Sequence, residues 1–412
     1  MQALAQGRTG SPPAPHSWPE RSWLPWGCWG LGQAGSWLTR ACLTVPPASL
    51  PGQLPRAEPP HPQRLPPGAL RQHGGRELPP VGAAGGRGGN PALQTGLLIL
   101  GAADDPEFQS CRRSLAQHHI PSQLFTAESL PRHFSGIQPH GGELAVSDLT
   151  AGVLYAGRAL QAVQDGFRRC GGALCDGQKV TDIKPGPVVT VMTSRGVYQA
   201  RSVVITAGPW TNKLLAPLGL QLPLQTLRIN VCYWQEQVPG TYGIPEHFPC
   251  LLAFHANQAP HLIYALPSNE YPGLVKVCYN YGSPADPEER DRLPTASADI
   301  QILRDFVSKY LPGLVPEPAV VEQCMYTNTP DEDFVLDRHP KFSNIIIGAG
   351  FSGHGFKLAP VVGKLLSQLS AGEEPSYALE PFRIRRFPAL EEEEARAAAA
   401  TCPSASAGRP AA

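Results

Sequence analysis

Apolar and polar positions fall into regular periods only from about residue 93 onward. Residues 94–100 read as a buried strand, and 105–119 as a helix with Asp104 or Asp105 as its cap and Pro106 in its first turn. Short strands follow at 122–126 and 143–146. The stretch 153–169, with Leu154, Leu160, Val163 and Phe167 apolar, stops at Gly171-Gly172 and predicts an amphipathic helix. Strands at 180–183, 188–192, 197–201 and 202–206 precede a helix at 211–218. The pattern then changes. Residues 222–234, 250–254, 261–266 and 274–280 read as antiparallel strands joined by proline-rich turns. A helix at 298–311 and strands at 318–326 and 333–336 complete this part. A mixed α/β part, an antiparallel part and a return to the sheet at Ile345 predict one domain interrupted by another.

The sharpest local signal lies in residues 341–364. Ile345, Ile346 and Ile347 form a β-branched run that predicts a strand buried on both faces. Gly348, Gly350, Gly353 and Gly355 follow, then an apolar run from 356 to 369 at helical spacing. A strand, a glycine-rich turn and a helix make a place for a flat or charged ligand, because the backbone can come close and the helix start offers free N–H groups. Gly348-Ala349-Gly350-Phe351-Ser352-Gly353 fits G-x-G-x-x-G. That motif should open a βαβ unit, yet no strand precedes the acidic pair Glu373-Glu374. The expectation is therefore the last strand and helix of a sheet whose other strands come earlier. Lys357, in the first helical turn, opposes the helix dipole and calls for an anionic partner.

A chain of 412 residues suggests two or three domains. Its net charge of zero and pI near 7.2 give no footing for a nucleic-acid partner. Ten cysteines show neither C-x-x-C nor a zinc spacing, so reduced intracellular thiols and no metal site are expected. No apolar run reaches the roughly eighteen residues of a membrane span. Residues 1–92 hold seventeen of the prolines, fifteen of the glycines and no lysine, and no period persists in them. Such a composition predicts disorder, as does the acidic, alanine-rich tail 391–412.

Three runs occur in order: Thr206-Ala-Gly-Pro-Trp210, Cys324-Met-Tyr-Thr-Asn-Thr-Pro-Asp331, and Gly348-Ala-Gly-Phe-Ser-Gly-His-Gly-Phe-Lys357. Together they resemble the sarcosine oxidase family of flavoenzymes over about 300 residues. The resemblance implies an α/β, Rossmann-like FAD domain of the D-amino-acid oxidase and sarcosine oxidase type, here incomplete, interrupted by an antiparallel-sheet substrate domain. It divides the chain into FAD-binding pieces at 150–219 and 324–390 and substrate-domain pieces at 93–149 and 220–323. It implies oxidation of a secondary amino acid, of the sarcosine or L-pipecolate class, to an imine, with oxygen reduced to hydrogen peroxide. A dehydrogenase serving a carrier protein is the rival enzyme. Cys324 matches a cysteine bonded covalently to the flavin, and Lys276 a lysine that helps reduced flavin react with oxygen. Lys357 matches a lysine for the substrate carboxylate, and Tyr264 and Tyr326 tyrosines that line the substrate side. Val180, Trp210 and the run Gly348, Gly350, Gly353, His354 and Gly355 match cofactor-side positions. The expected partners are a small amino acid and oxygen, without nucleic acid or membrane, and a monomer is favoured.

The departures are equally specific. Asn280 stands where the family commonly has a histidine. The family opens with a strand and a glycine motif that hold the FAD pyrophosphate, and residues 1–92 show no counterpart. The cluster at 85–89 follows no strand and opens no helix. The expectation for this chain is weak FAD binding, poor solubility and little or no oxidase activity, and a non-catalytic or aberrantly spliced member is the reading from another class. The family's animal members imply a peroxisomal address. The end Gly408-Arg-Pro-Ala-Ala412 is not a Ser-Lys-Leu-type tripeptide, so the cytosol is expected for this form.

Overall fold

The computed structural model describes residues 92–387, except 246 and 290–297. The expected disordered segments, apart from Ala92, lie outside the described residues. Strands β1 (Ala92–Gln94) and β2 (Leu97–Gly101) take the place of the single strand expected at 94–100. Gly96, at φ +75°, turns the chain between them, and its N–H bonds the Ala151 carbonyl. Helix α1 (Pro106–Gln117) starts as predicted, with the Asp105 carboxylate accepting the Phe108 N–H at 2.9 Å. β3 (Ser122–Phe125), the single turn α2 (Leu130–His133) and β4 (Leu144–Asp148) follow. Val153 and Leu154 are not helical as expected. They form β5 (Gly152–Leu154), because Leu93 of β1 pairs with Val153, and α3 (Ala156–Arg169) begins only after Tyr155.

Strands β6 (Val180–Lys184), β7 (Val189–Thr193) and β8 (Gly196–Ala200) form an antiparallel meander. β9 (Val203–Ile205) and the short α4 (Thr211–Leu215) lead into the long strand β10 (Gln225–Glu236). β11 (Cys250–Ala253), β12 (Ile263–Tyr271), β13 (Leu274–Tyr279) and β14 (Ser283–Pro284) come next. After α5 (Ala298–Tyr310), β15 (Leu314–Asn328) pairs with β10. β15 is longer than the strand expected at 318–326, and its Pro316 and Pro318 are tolerated because it pairs on one side only. β10 to β15 join β2, β3 and β4 in one nine-stranded sheet in which only β2 and β11 pair in parallel. Residues 324–328 thus run continuously within this sheet.

β16 (Val335–Arg338), β17 (Ile345–Ala349) and β9 make a separate small sheet, with β17 central and parallel to β9. Ile345, Ile346 and Ile347 are 0 % exposed. Ile345 and Ile347 pack with Val203 and Ile205 on one face, while Ile346 packs with Val362, Leu365 and Leu369 on the other. The helix expected at 356–369 is a 3-10 turn at Phe356–Leu358 followed by α6 (Ala359–Ala371). Pro360 lacks a donor and so sits in the first turn of α6, and Gly372 at φ +75° closes its end.

α5 buries Ile300, Leu303, Phe306, Val307 and Tyr310, and packs on β10, β13 and β15. Trp234 and Val277 lie beneath it, the indole N–H donating to the Val277 carbonyl at 3.1 Å. This leaves the opposite face of the sheet for chemistry. Just beyond the C-terminal ends of β2 and β11, His255 Nδ1 lies 2.6 Å from the Asp105 carboxylate and 3.8 Å from Glu107. These three side chains put ligand-type atoms within 4.8 Å of one another, a grouping the sequence did not suggest.

The Asp105 hydrogen bond holds His255 above its ordinary value against the pull of burial. Burial pushes Asp105 up, but the Phe108 N–H and His255 outweigh it, and its pKa is lowered. The raised histidine contributes stability that is complete below about pH 6.5 and is lost as pH rises through its folded value. The lowered carboxyl contributes stability that is complete above about pH 3.9 and is lost as pH falls. Asp105→Ala is expected to cost about 1 kcal/mol by removing the cap. In urea unfolding it should also flatten the decline of stability above about pH 6.5. A variant as stable as the parent, with the same pH profile, would contradict the clasp.

Candidate active site

Residues paired directly across neighbouring strands point to the same face, and so do residues two apart on one strand. Tyr264 pairs with Cys278, Leu266 with Lys276, and Lys276 with Tyr233. Tyr233 continues along β10 to Val231, Ile229 and Leu227, which pair with Glu322, Cys324 and Tyr326. Lys276, Tyr264, Cys324 and Tyr326 therefore share the face opposite α5. Their packing agrees: Tyr264, Cys278 and Tyr233 belong to one cluster, and Tyr326, Ile229 and Leu227 to another, with Cys324 against both.

Lys276 is 3 % exposed, and its ammonium lies 5.6 Å from the centre of the Tyr233 ring. A desolvated contact of this kind is worth about 2 kcal/mol. Burial raises the Tyr264 phenol well above its ordinary value, with Cys278, Tyr326 and Cys324 adding to the effect. Tyr264 is thus a neutral donor at any physiological pH. Beside Lys276 lies a cavity of about 10 Å³ lined by Val153, Tyr233, Leu266, Pro267, Asn269 and others. Asn269, one of its lining residues, carries a buried Nδ2 without a hydrogen-bond partner.

The glycine-rich loop after β17 docks on the far end of β15. The Ser352 N–H donates to the Thr327 carbonyl at 3.0 Å, and the Thr329 N–H to Ser352 Oγ at 3.3 Å. Gly353, at φ +79°, lies so close to Tyr326 that a Cβ there would sit 2.6 Å from the ring. At Gly350, φ +67°, a Cβ would meet Thr329 at 2.4 Å. Gly348 and Gly355 give room to Leu366 and Phe351 instead. The glycines thus permit close approach of loop and strand.

Lys357 sits half-buried in the 3-10 turn before α6. Burial pushes His354 down to about 4, with the Ser352 contact opposing and the Lys357 charge assisting. His354 is therefore neutral at pH 7, its Nδ1 3.0 Å from the Ser352 carbonyl. The structure does not bring Val180 and Trp210 onto the sheet face. Both pack in the cluster around Val203, Ile205 and Leu215, and the Trp210 indole donates to Glu288 at 3.1 Å.

Tyr233, Tyr271, Glu322 and Asn328 belong to the site but were not read from the sequence. Tyr271 stands edge-on to Tyr233 and donates to Glu322 at 2.7 Å. Asn328, two residues beyond Tyr326, carries a buried Oδ1 with no hydrogen-bond partner. The alternation along β10 and β15 held these positions, but only the pairing register says which face they share.

An interrupted sheet with a strand–glycine turn–helix unit against it, and a thiol, a buried cation and two phenols on one face, defines a cofactor-dependent oxidoreductase. The model of the family described as FAD dependent oxidoreductase matches residues 69–369, and the chain belongs to that family. The match begins inside the segment 1–92 that the sequence reading set apart. The chain is 57 % identical over 300 residues to the peroxisomal sarcosine oxidase of Homo sapiens, covering 72 % of this chain and 76 % of that protein. It is 33 % identical over 296 residues to the monomeric sarcosine oxidase of Bacillus sp. (strain NS-129), covering 71 % of this chain and 76 % of that protein. Among solved structures, NikD, described as an unusual amino acid oxidase essential for nikkomycin biosynthesis, matches with a TM-score of 0.62 at 22 % identity, covering 71 % of this chain and 77 % of that one. Glycine oxidase from Geobacillus kaustophilus matches at 0.60 and 19 %, covering 72 % of this chain and 76 % of that one. At such identities these two show the fold alone. The expected fold class and flavoenzyme family are both met.

The residues present fit the ring end of FAD. A half-buried thiol, a buried ammonium and the orphaned Asn328 acceptor, which a ring N–H would satisfy, line one face. The approach at Gly353 has a direct check. Gly353→Ala combines an unfavourable backbone angle with a clash on Tyr326, and is expected to cost about 1–3 kcal/mol. Denaturant unfolding should register the loss, and near-ultraviolet circular dichroism should report a moved Tyr326. Unchanged values in both would mean that the loop does not press on the ring.

Proposed function

We propose that this chain oxidises a secondary amino acid of the sarcosine or L-pipecolate class to an imine and reduces oxygen to hydrogen peroxide. The observation that carries this reading is the shared face: Cys324, Tyr326, Tyr264 and Lys276 side by side by register, with the glycine loop docked at its end. Relatives named for sarcosine oxidation support the substrate class, and the human and mouse names support a peroxisomal address.

FAD, when bound, supplies the two-electron acceptor. Cys324 Sγ would hold it covalently, and the Gly348–Gly355 loop with neutral His354 would help to bind it. Lys357 binds the substrate carboxylate. Tyr264 and Tyr326 bound the substrate side, shape it and exclude water. Lys276 holds a fixed positive charge where oxygen gains negative charge, which a preorganised cation stabilises without reorganising solvent.

Expressed with excess FAD, residues 1–412 are expected to yield peroxide with sarcosine or L-pipecolate, and FAD-saturated protein inert toward both would sink the proposal. A second reading, a chain that binds FAD weakly and turns over little, is favoured by the tightness of the face. Tyr264 is 2 % exposed and the cavity beside Lys276 is water-sized, smaller than a flavin ring. Under that reading the purified protein is colourless.

Two substitutions test the assigned roles. Lys276→Met should slow reoxidation of the reduced enzyme by oxygen by about 10²–10³-fold, by analogy with loss of an oxyanion donor, while anaerobic reduction by substrate stays near the parent rate. Equal reoxidation rates in stopped flow would remove Lys276 from this role. Acid-precipitated parent protein should stay yellow and yield a Cys324 peptide heavier by FAD, and Cys324→Ser should release all flavin. A colourless pellet from yellow native protein would mean non-covalent binding.

A further inference from the structure

A lysine ammonium ends a flexible four-carbon stem, and strand pairing fixes only its Cα. Something must hold the charge in place if it is to act on one spot. Lys276 and Tyr233 are directly paired, and the ammonium lies over the Tyr233 ring at 5.6 Å. The ring's negative face attracts the cation. Tyr233 is itself fixed: Tyr271 meets it at 87° with ring centres 4.7 Å apart, a favoured aromatic geometry. The Tyr271 hydroxyl donates to Glu322 Oε1 at 2.7 Å, a charge-assisted bond that reaches from β12 to β15. Glu322 lies two residues before Cys324 on the same face. An ammonium, two crossed rings and a carboxylate thus link β13, β10, β12 and β15 beside the thiol.

We propose that Tyr233, braced by Tyr271 and Glu322, is the positioning residue for Lys276. Tyr233 acts through the lysine. It sets where the ammonium stands on the site face, and so how strongly that charge acts on oxygen. The proposal rests on the reading of Lys276 given above, and it assigns work to a tyrosine, a second tyrosine and a glutamate that no motif marks.

The full chain has eight lysines, so selective ¹³C and ¹⁵N lysine labelling gives few signals. The Lys276 Cε resonance is identified by its loss in Lys276→Met. A group over an aromatic face is shifted upfield, so this resonance should stand upfield of the other lysines in the parent. It should remain there in Tyr233→Phe, which keeps the ring, and return among the others in Tyr233→Leu. A Lys276 signal unshifted in the parent, or still upfield in Tyr233→Leu, overturns the proposal. Should Tyr233→Leu fail to fold, Tyr271→Leu and Glu322→Gln remove the brace from outside the core. Each is expected to move or broaden the same resonance, and a signal identical to the parent in both overturns the bracing. With FAD bound, Tyr233→Leu should slow reoxidation about tenfold to a hundredfold while anaerobic reduction holds, the scale of a misplaced charge. The two readings separate cleanly. If Lys276→Met leaves reoxidation unchanged, the role of Lys276 falls, while the resonance still decides whether Tyr233 positions it.

Discussion

The pairing of β10 with β15 is the constraint on which the site depends. It runs from Gln225 opposite Asn328 to Glu236 opposite Leu314, with irregularities only beyond Tyr233. A slip of one residue would turn Cys324 and Tyr326 to the far side and bring Met325 and Gln323 onto the site face. On the far side β10 is held by Cys232 and Trp234, which are buried in one apolar cluster with Phe306 and Tyr310, and β15 takes its register from β10. A hydrophobic contact on one face thus fixes the chemistry on the other.

This division also explains what the sequence revealed and what it withheld. The three isoleucines and four glycines announced a buried strand, a tight turn and a helix, and β17, its loop and α6 follow that outline. Alternation gave most strands of the large sheet to within a few residues. Val153 and Leu154 were misread because a short apolar pair does not by itself distinguish a strand from the start of a helix. Only the pairing with β1, set by contacts outside their own stretch, makes them a strand. Resemblance singled out Lys276, Cys324 and the tyrosines as candidates, but their proximity was not legible. Forty-eight positions separate Lys276 from Cys324, and nothing in that spacing places them on one face. Tyr233 and Glu322 are silent in sequence because their role arises from register alone.

The glycine loop shows a second kind of constraint. Ser352 holds φ +46°, a conformation that costs a non-glycine residue free energy. It persists because three hydrogen bonds over-determine it: its N–H to Thr327, its hydroxyl to Gly350, and the Thr329 N–H to its oxygen. The polar groups that tie loop to strand would otherwise be buried and unsatisfied, so the strain is the lesser cost.

That tie is secured in turn from the C-terminal side. The Thr329 hydroxyl donates to the Asp333 carbonyl at 2.7 Å, closing the turn at the end of β15. Arg386 grips Asp331 through Nε at 2.7 Å and Nη2 at 3.1 Å, and also donates to the Asp333 carbonyl at 2.8 Å. Burial alone would raise the Asp331 carboxyl, yet the arginine outweighs it and holds the group below its ordinary value. Arg383 does the same geometric work on Asp337 of β16 at 2.6 Å. The turn after β15 is therefore fixed by the strand before it, the loop above it and a strap some fifty residues away. Three separate stretches of chain thus converge on the contact between Tyr326 and Gly353, and a displacement of about 1 Å in the wall of a site is enough to spoil catalytic alignment.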